Sequence, residues 1–273
     1  MVGRQLFKQQ LLIKKAEENY YQHAVKYINR TLASQDKFWQ NLGGKPDFKN
    51  LHVLEVGCGL GSLSIDIAQS SPGKIIGLDI NPSDIDFANR YVNENYSHLS
   101  DILKFHCGDL SDFSENCFDC IISKDAFEHI IDLPEMLAQI KRVQKPNGRL
   151  YAGFGPLWHS PSGFHGSVEG WNFGNSIPWS HLLVSENTIL EVFRELSQVE
   201  VRSIYDLGMN KLSIDDYIKL FRDSGLSIQS FSVNSSNRSS TRLLNPLRKL
   251  PYFGKLFCLN IYAVLTKPEA QLS

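Results

Sequence analysis

The chain has 273 residues, 42% of them hydrophobic and 21% charged, a balance that excludes wholesale disorder and predicts a packed core. Twenty-eight basic against 29 acidic residues leave a formal charge of −1, far from the excess a dedicated nucleic-acid binder needs to neutralise phosphates. The apolar run near Leu256 to Leu265 is too short for a bilayer, Met1 to Gln10 lacks the apolar stretch of a signal peptide, and five cysteines suggest no disulfide framework, so the expectation is a soluble cytoplasmic protein.

Residues 5–40 read as helical, because Leu6, Leu12, Ile13, Ala16, Tyr20, Ala24, Tyr27 and Ile28 recur at spacings of three and four. Gly43-Gly44-Lys45-Pro46 stops that pattern. Strands are then expected at Leu51–Val56, Lys74–Asp79, Leu103–Cys107, Phe118–Ser123 and Gly148–Phe154, with helices at Ser62–Ser70, Pro82–Asn95 and Leu133–Val143. This alternation predicts an α/β fold: a doubly wound, mostly parallel sheet with helices on both faces. Residues 155–187 break the rhythm with three prolines, three tryptophans and three histidines, as a lid or binding loop would. Helices follow at Ser185–Leu196 and Ile214–Ser224, with Gly225 as a C-cap, and strands at Leu226–Val233 and Cys258–Leu265. The division expected is an N-terminal helical cap over 1–44 and one domain over 45–273, with 155–187 inserted.

The segment Val53-Leu54-Glu55-Val56-Gly57-Cys58-Gly59-Leu60-Gly61 runs an apolar strand into a glycine turn and then a helix. Missing side chains let a ligand approach the backbone, and the helix N–H groups face it. A dinucleotide fingerprint would place its third glycine at position 62, where Ser62 stands. Glu55, two residues before Gly57, suits a ligand with a cationic head better than a pyrophosphate. Asp79 ends the next strand, where a carboxylate can take both hydroxyls of a ribose, and Asp109 follows the third, where it can accept from an adenine amino group. All three acids sit where open α/β sheets bind ligands.

On these residues, together with Gly108-Asp109 and Asp125-Ala126-Phe127-Glu128-His129-Ile130, the chain resembles the class I S-adenosylmethionine-dependent methyltransferases. The likeness is greatest to their small-molecule group, which includes the ubiquinone and menaquinone methyltransferases. It covers residues 45–155 well and 205–267 loosely. The resemblance implies a seven-stranded sheet closed by a terminal strand hairpin. It also implies S-adenosyl-L-methionine as methyl donor. Gly57, Cys58 and Gly59 would line the methionine part with Glu55 near its ammonium, Asp79 would hold the ribose, and Ile80, Asp109 and Leu110 would meet the adenine. Ser123 and Lys124 would lie beside the methionine moiety.

Methyl transfer from a sulfonium needs alignment of donor and acceptor, plus a base where the acceptor is a weakly acidic hydroxyl. The catalytic candidates are His129, Glu128 and His165. His129 either acts as base or orients its loop. Asp125, Glu128 and His129 have the chemistry of a divalent-ion site, but no metal is expected, and His159, His165 and His181 lack the spacing of a zinc site. Trp158, His159, Phe164, His165, Glu169, Trp171, Trp179 and His181 either wall an apolar acceptor pocket or pack the loop on itself. Cys117 and Cys120 form half a zinc motif with no second pair, and Ser123-Lys124-Asp125-Ala126 lacks the Asn-Pro-Pro-Tyr type of run found in enzymes that methylate amino groups of bases or of glutamine. Arg238, Arg242, Arg248, Lys249 and Lys255, with apolar residues between them, make 238–255 either a peripheral membrane contact or a solvated link. The acceptor expected is a small or lipid-like molecule, with no nucleic acid as partner. The rivals are a methyltransferase of a protein or RNA, a donor-binding module without catalysis, and a nicotinamide oxidoreductase.

Overall fold

A computed structural model describes residues 2–15, 20–235 and 254–269. Its centre is a seven-stranded sheet built from His52–Val56 (β2), Lys74–Asp79 (β3), Leu103–Cys107 (β4), Phe118–Lys124 (β5), Gln144–Phe154 (β6), Ser227–Ser235 (β9) and Cys258–Thr266 (β10). The order is β4-β3-β2-β5-β6-β10-β9; β2 through β6 pair in parallel, and β10 runs antiparallel to both its neighbours. The inner strands are apolar along their length because helices cover both faces: four of the five residues of β2 are buried.

The helices are Val2–Gln10 (α1), Tyr20–Leu32 (α2), Gln35–Asn41 (α3), Ser62–Ala68 (α4), Pro82–Asn95 (α5), Leu133–Val143 (α6), Glu186–Ser197 (α7) and Ile214–Asp223 (α8). Their starts follow local chemistry. Asn81 accepts from the Ser83 amide ahead of Pro82, Asp132 accepts from Glu135, and Ser213 closes a capping box with Asp216. One apolar core joins α2–α5 to one face of the sheet through Ile28, Trp39, Leu63, Ile75 and Phe87. A second joins α6 and α8 to the other through Leu54, Ile121, Leu137, Ile140 and Phe221.

Two sequence expectations change. The N-terminal stretch is not helical throughout, since Leu11–Lys15 forms a strand (β1). Leu11 and Ile13 turn inward while Leu12 stays 55% exposed, a period of two that the helical spacing masked. Its partner is far away in the chain: β1 pairs antiparallel with Trp171–Asn175 (β8), which pairs with His165–Val168 (β7). The insertion is therefore a small sheet completed by the N-terminal segment, not a loop. A third core lies beneath it, where Phe7 and Leu11 meet Trp158, Phe164, Phe173, Ile189 and Phe193. The other change is that β6 begins at Gln144, running through a bulge at Asn147-Gly148 that reads locally as a turn. Of the basic stretch, Arg238, Arg242, Arg248 and Lys249 lie outside the described residues, while Lys255 pairs with Asp215.

Candidate active site

A cleft of about 1350 Å³ opens at the carboxyl ends of β2, β3, β4 and β5. Typical ligand pockets hold roughly 300–1,000 Å³, so it has room for two molecules side by side. Its floor is the glycine turn after β2. Gly57 and Cys58 both donate their amides to the Leu78 carbonyl, at 2.9 and 3.0 Å, which bends the chain across the end of β3. Gly61, at φ +84, starts α4, and a Cβ there would stand 2.5 Å from the Phe105 ring. Gly59, at φ +50, faces the other way: a Cβ there would meet no atom within 4 Å and would project into open space.

The acids hold the turn as well as facing the cleft. Asp79 accepts from the Gly59 amide at 2.8 Å through Oδ2 and from Asn81 at 2.9 Å through Oδ1, which leaves one lone pair on each oxygen for a ligand. Glu55 is 2% exposed and accepts from the Ser64 hydroxyl. Burial pushes its pKa up to about 8, with Ser64 and Lys124 pulling the other way. Asp109 caps the turn after β4 by accepting from Ser111 at 2.7 Å. Ile80 is 81% exposed, an isobutyl-sized apolar face presented to the cleft beside Asp79. Lys124, at the end of β5, donates to Gln35 of α3 at 2.8 Å and reaches the cleft below it.

Glu55, Gly57, Cys58, Gly59, Asp79, Ile80, Asp109, Leu110, Lys124 and His129 all border this one cleft. Ser123 does not: it is 1% exposed and donates to the Val56 carbonyl at 3.0 Å, tying β5 to β2. Glu128 and His165 stand behind His129, their ligating atoms within 4.8 Å of one another and of a ring nitrogen of His129. His129 Nδ1 lies 2.8 Å from the Gly208 carbonyl, and burial lowers its pKa below the usual imidazole value. The His165 ring is packed against it at 5.1 Å between centroids, and burial pushes its pKa down to about 4. Burial pushes Glu128 up to about 8.

The aromatic insertion divides in two. Trp158 and Phe164 fall into the third core, and His181 packs on both and bonds the Trp158 carbonyl. Trp179 donates to the Leu256 carbonyl. These side chains pack the module instead of walling a pocket. The cleft is faced by Ser167, Val168, Glu169, Gly170 and Asn172 around the β7–β8 turn. Opposite them stand His23 of α2 together with Tyr20 and Tyr27, the two tyrosines that the helical spacing places in an apolar stripe. Only Ala24 and Ile28 of that helix are buried, and Tyr20 donates to Asp84. The signal was the two phenols within the stripe, since a tyrosine puts a polar tip on an apolar body.

A family model described as "Methyltransferase domain" matches residues 47–154. The chain is 34% identical over 124 residues to a sterol 24-C-methyltransferase of Gibberella zeae, covering 44% of this chain and 31% of the relative. It is 36% identical over 102 residues to the demethylmenaquinone methyltransferase of Symbiobacterium thermophilum, covering 36% of this chain and 40% of the relative. The chain thus spans about a third of the length of these curated relatives. Among solved structures, geranyl diphosphate C-methyltransferase from Streptomyces coelicolor, in complex with Mg²⁺, geranyl diphosphate and S-adenosyl-L-homocysteine, superposes with a TM-score of 0.56 at 13% identity, over 92% of this chain and 85% of that one. Residues 47–154, the stretch that holds the glycine turn and the three strand-end acids, thus match a methyltransferase-domain model, and the fold is shared with a methyltransferase of known structure.

Proposed function

We propose that the protein transfers a methyl group from S-adenosyl-L-methionine to a small or lipid-like acceptor. The observation that carries this is the cleft: a glycine turn open toward the ligand at Gly59, with carboxylates at Glu55, Asp79 and Asp109 set along one edge and spare volume beside them. The residues fit the donor. Glu55 would meet its ammonium, Gly57, Cys58 and Gly59 its methionine part, Asp79 its ribose, and Ile80, Asp109 and Leu110 its adenine. Lys124 would steady the floor through Gln35. Once bound, the donor's sulfonium supplies an activated methyl group. The protein's own work is then alignment, with Tyr20, His23 and Tyr27 on one side and the β7–β8 turn on the other confining the acceptor.

In this reading residues 45–273 carry the activity, the 155–187 module shapes the acceptor side, and 1–44 caps it. Glu128, His129 and His165 are the acceptor-side machinery. Sterol and quinone relatives and the isoprenoid-diphosphate neighbour support a lipid-like acceptor over a protein or RNA. The test is incubation of the full chain with methyl-labelled donor and fractionated cell extract. Label is expected in a low-molecular-weight or lipid fraction. Label confined to protein or RNA would overturn the acceptor class, and absence of any heat with the donor or S-adenosylhomocysteine would overturn the whole reading.

A further inference from the structure

Glu128, His129 and His165 each spend one polar atom on the fold and leave another without a partner. Glu128 is 2% exposed; its Oε1 accepts from the Gly155 amide at 2.8 Å, and its Oε2 is buried with no hydrogen-bond partner. His129 directs Nδ1 at the Gly208 carbonyl and His165 directs Nδ1 at the Gly163 carbonyl, at 2.8 and 3.3 Å. A carbonyl can only accept, so both Nδ1 atoms carry the proton and both Nε2 atoms hold free lone pairs. Once Glu128 is ionised, each of the three residues can offer a lone-pair atom, and one ligand atom from each lies within 4.8 Å of the others. Ionised, an orphaned carboxylate oxygen at this depth costs several kcal/mol by order of magnitude unless something positive satisfies it, which is why the carboxyl stays neutral until a cation arrives.

We propose that Glu128, His129 and His165 form a binding site for one divalent transition-metal ion, placed to hold an oxygen atom of the acceptor. Two neutral imidazoles and one carboxylate suit first-row cations better than Mg²⁺ or Ca²⁺, which prefer oxygen ligands alone. The ligand atoms lie within 4.8 Å of one another. Bonds of ~2.1 Å set an edge of roughly 3–3.5 Å, and small rotations of the two rings close that difference. Backbone carbonyls fix both imidazoles through their second nitrogens, the usual orienting arrangement around a metal. The backbone that carries Glu128 is tied as firmly. Asn210 donates its amide to the Glu128 carbonyl at 3.1 Å and its side chain to the carbonyls of Phe127 and Ile130, at 2.6 and 3.0 Å. Tyr217 in turn donates to Asn210 Oδ1 at 2.9 Å.

Three protein ligands leave coordination positions open, the pattern of catalytic and not structural sites. His129 borders the cleft, so the open positions face the acceptor side. An acceptor bearing a hydroxyl, enol or phenol would bind there by its oxygen, and the cation would lower that oxygen's pKa. The acceptor's part rests on the methyltransferase reading; the cation site does not.

The test is titration of untagged full-length protein, stripped with EDTA, with Co²⁺, following visible absorption and heat, with S-adenosylhomocysteine binding measured in parallel. One Co²⁺ per chain is expected. His165→Gln and Glu128→Gln should each weaken it at least tenfold, His98→Ala on the surface should not, and all three should keep S-adenosylhomocysteine affinity. If Glu128→Gln fails to fold, His165→Gln and His129→Gln decide. No stoichiometric uptake, or uptake that His165→Gln leaves intact, overturns the site. Co²⁺ uptake with no S-adenosylhomocysteine binding would overturn the methyltransferase reading and leave the metal site standing.

Discussion

Asp79 carries two duties with one carboxylate. It anchors the glycine turn through the Gly59 amide and, in the proposed reading, offers its remaining lone pairs to a ribose. Asp79→Ala should weaken S-adenosylhomocysteine binding by about 1–3 kcal/mol, the range of charge-assisted hydrogen bonds; an unchanged Kd by calorimetry would remove the ribose assignment. Glu55 makes a prediction of another kind. Its carboxyl is held protonated up to about pH 8 in the ligand-free protein against an ordinary value of 4.5, so folding takes up a proton between those values. Stability should therefore fall as pH rises through that window, and Glu55→Gln should flatten the curve in a pH series of urea melts. A cationic ligand head needs the charged form, so donor affinity should drop as pH falls below about 8, again less steeply in Glu55→Gln.

Among the elements, β1 decides how the wall formed by the β7–β8 module is built. It is an edge strand completed only by β8, and its hold on the module passes through Phe7 and Leu11, which are 2% and 7% exposed in the third core. Phe7 packs on Phe164 at 6.0 Å between ring centroids. Phe7→Ala should cost that core about 3–5 kcal/mol. Hydrogen exchange should then speed up in β1, β7 and β8 and stay unchanged in β2 and β3. Donor affinity should hold while KM for the acceptor rises. A uniform rise in exchange across the central sheet would show that the module is not an independent unit.

For the molecule as a whole, a ligand that binds only the folded state adds stability by mass action, about 2.7 kcal/mol at a hundred times its Kd. S-adenosylhomocysteine should raise the Tm in a concentration-dependent way and NADH should not; the reverse order would favour an oxidoreductase. No helix among the described residues is long and apolar enough to cross a membrane. The side of the cleft built by the glycine turn was legible in the chain because its parts are local: an apolar strand, glycines that supply positive φ, and an acid at or near the end of each strand. Lys74–Asp79, Leu103–Cys107, Pro82–Asn95 and Leu133–Val143 match their expected bounds for the same reason, since pattern and caps lie within each segment. The opposite side, where α2 faces the β7–β8 turn, was not legible in this way. Leu11–Lys15 became a strand because a partner some 160 residues away supplies its hydrogen bonds, the aromatic insertion turned inward because a third core was there to receive it, and Glu128 and His129 met His165 only when that module closed over the sheet. Local periodicity carries the energetics of single elements; pairings between distant segments are settled by burial, which exists only once the chain has folded.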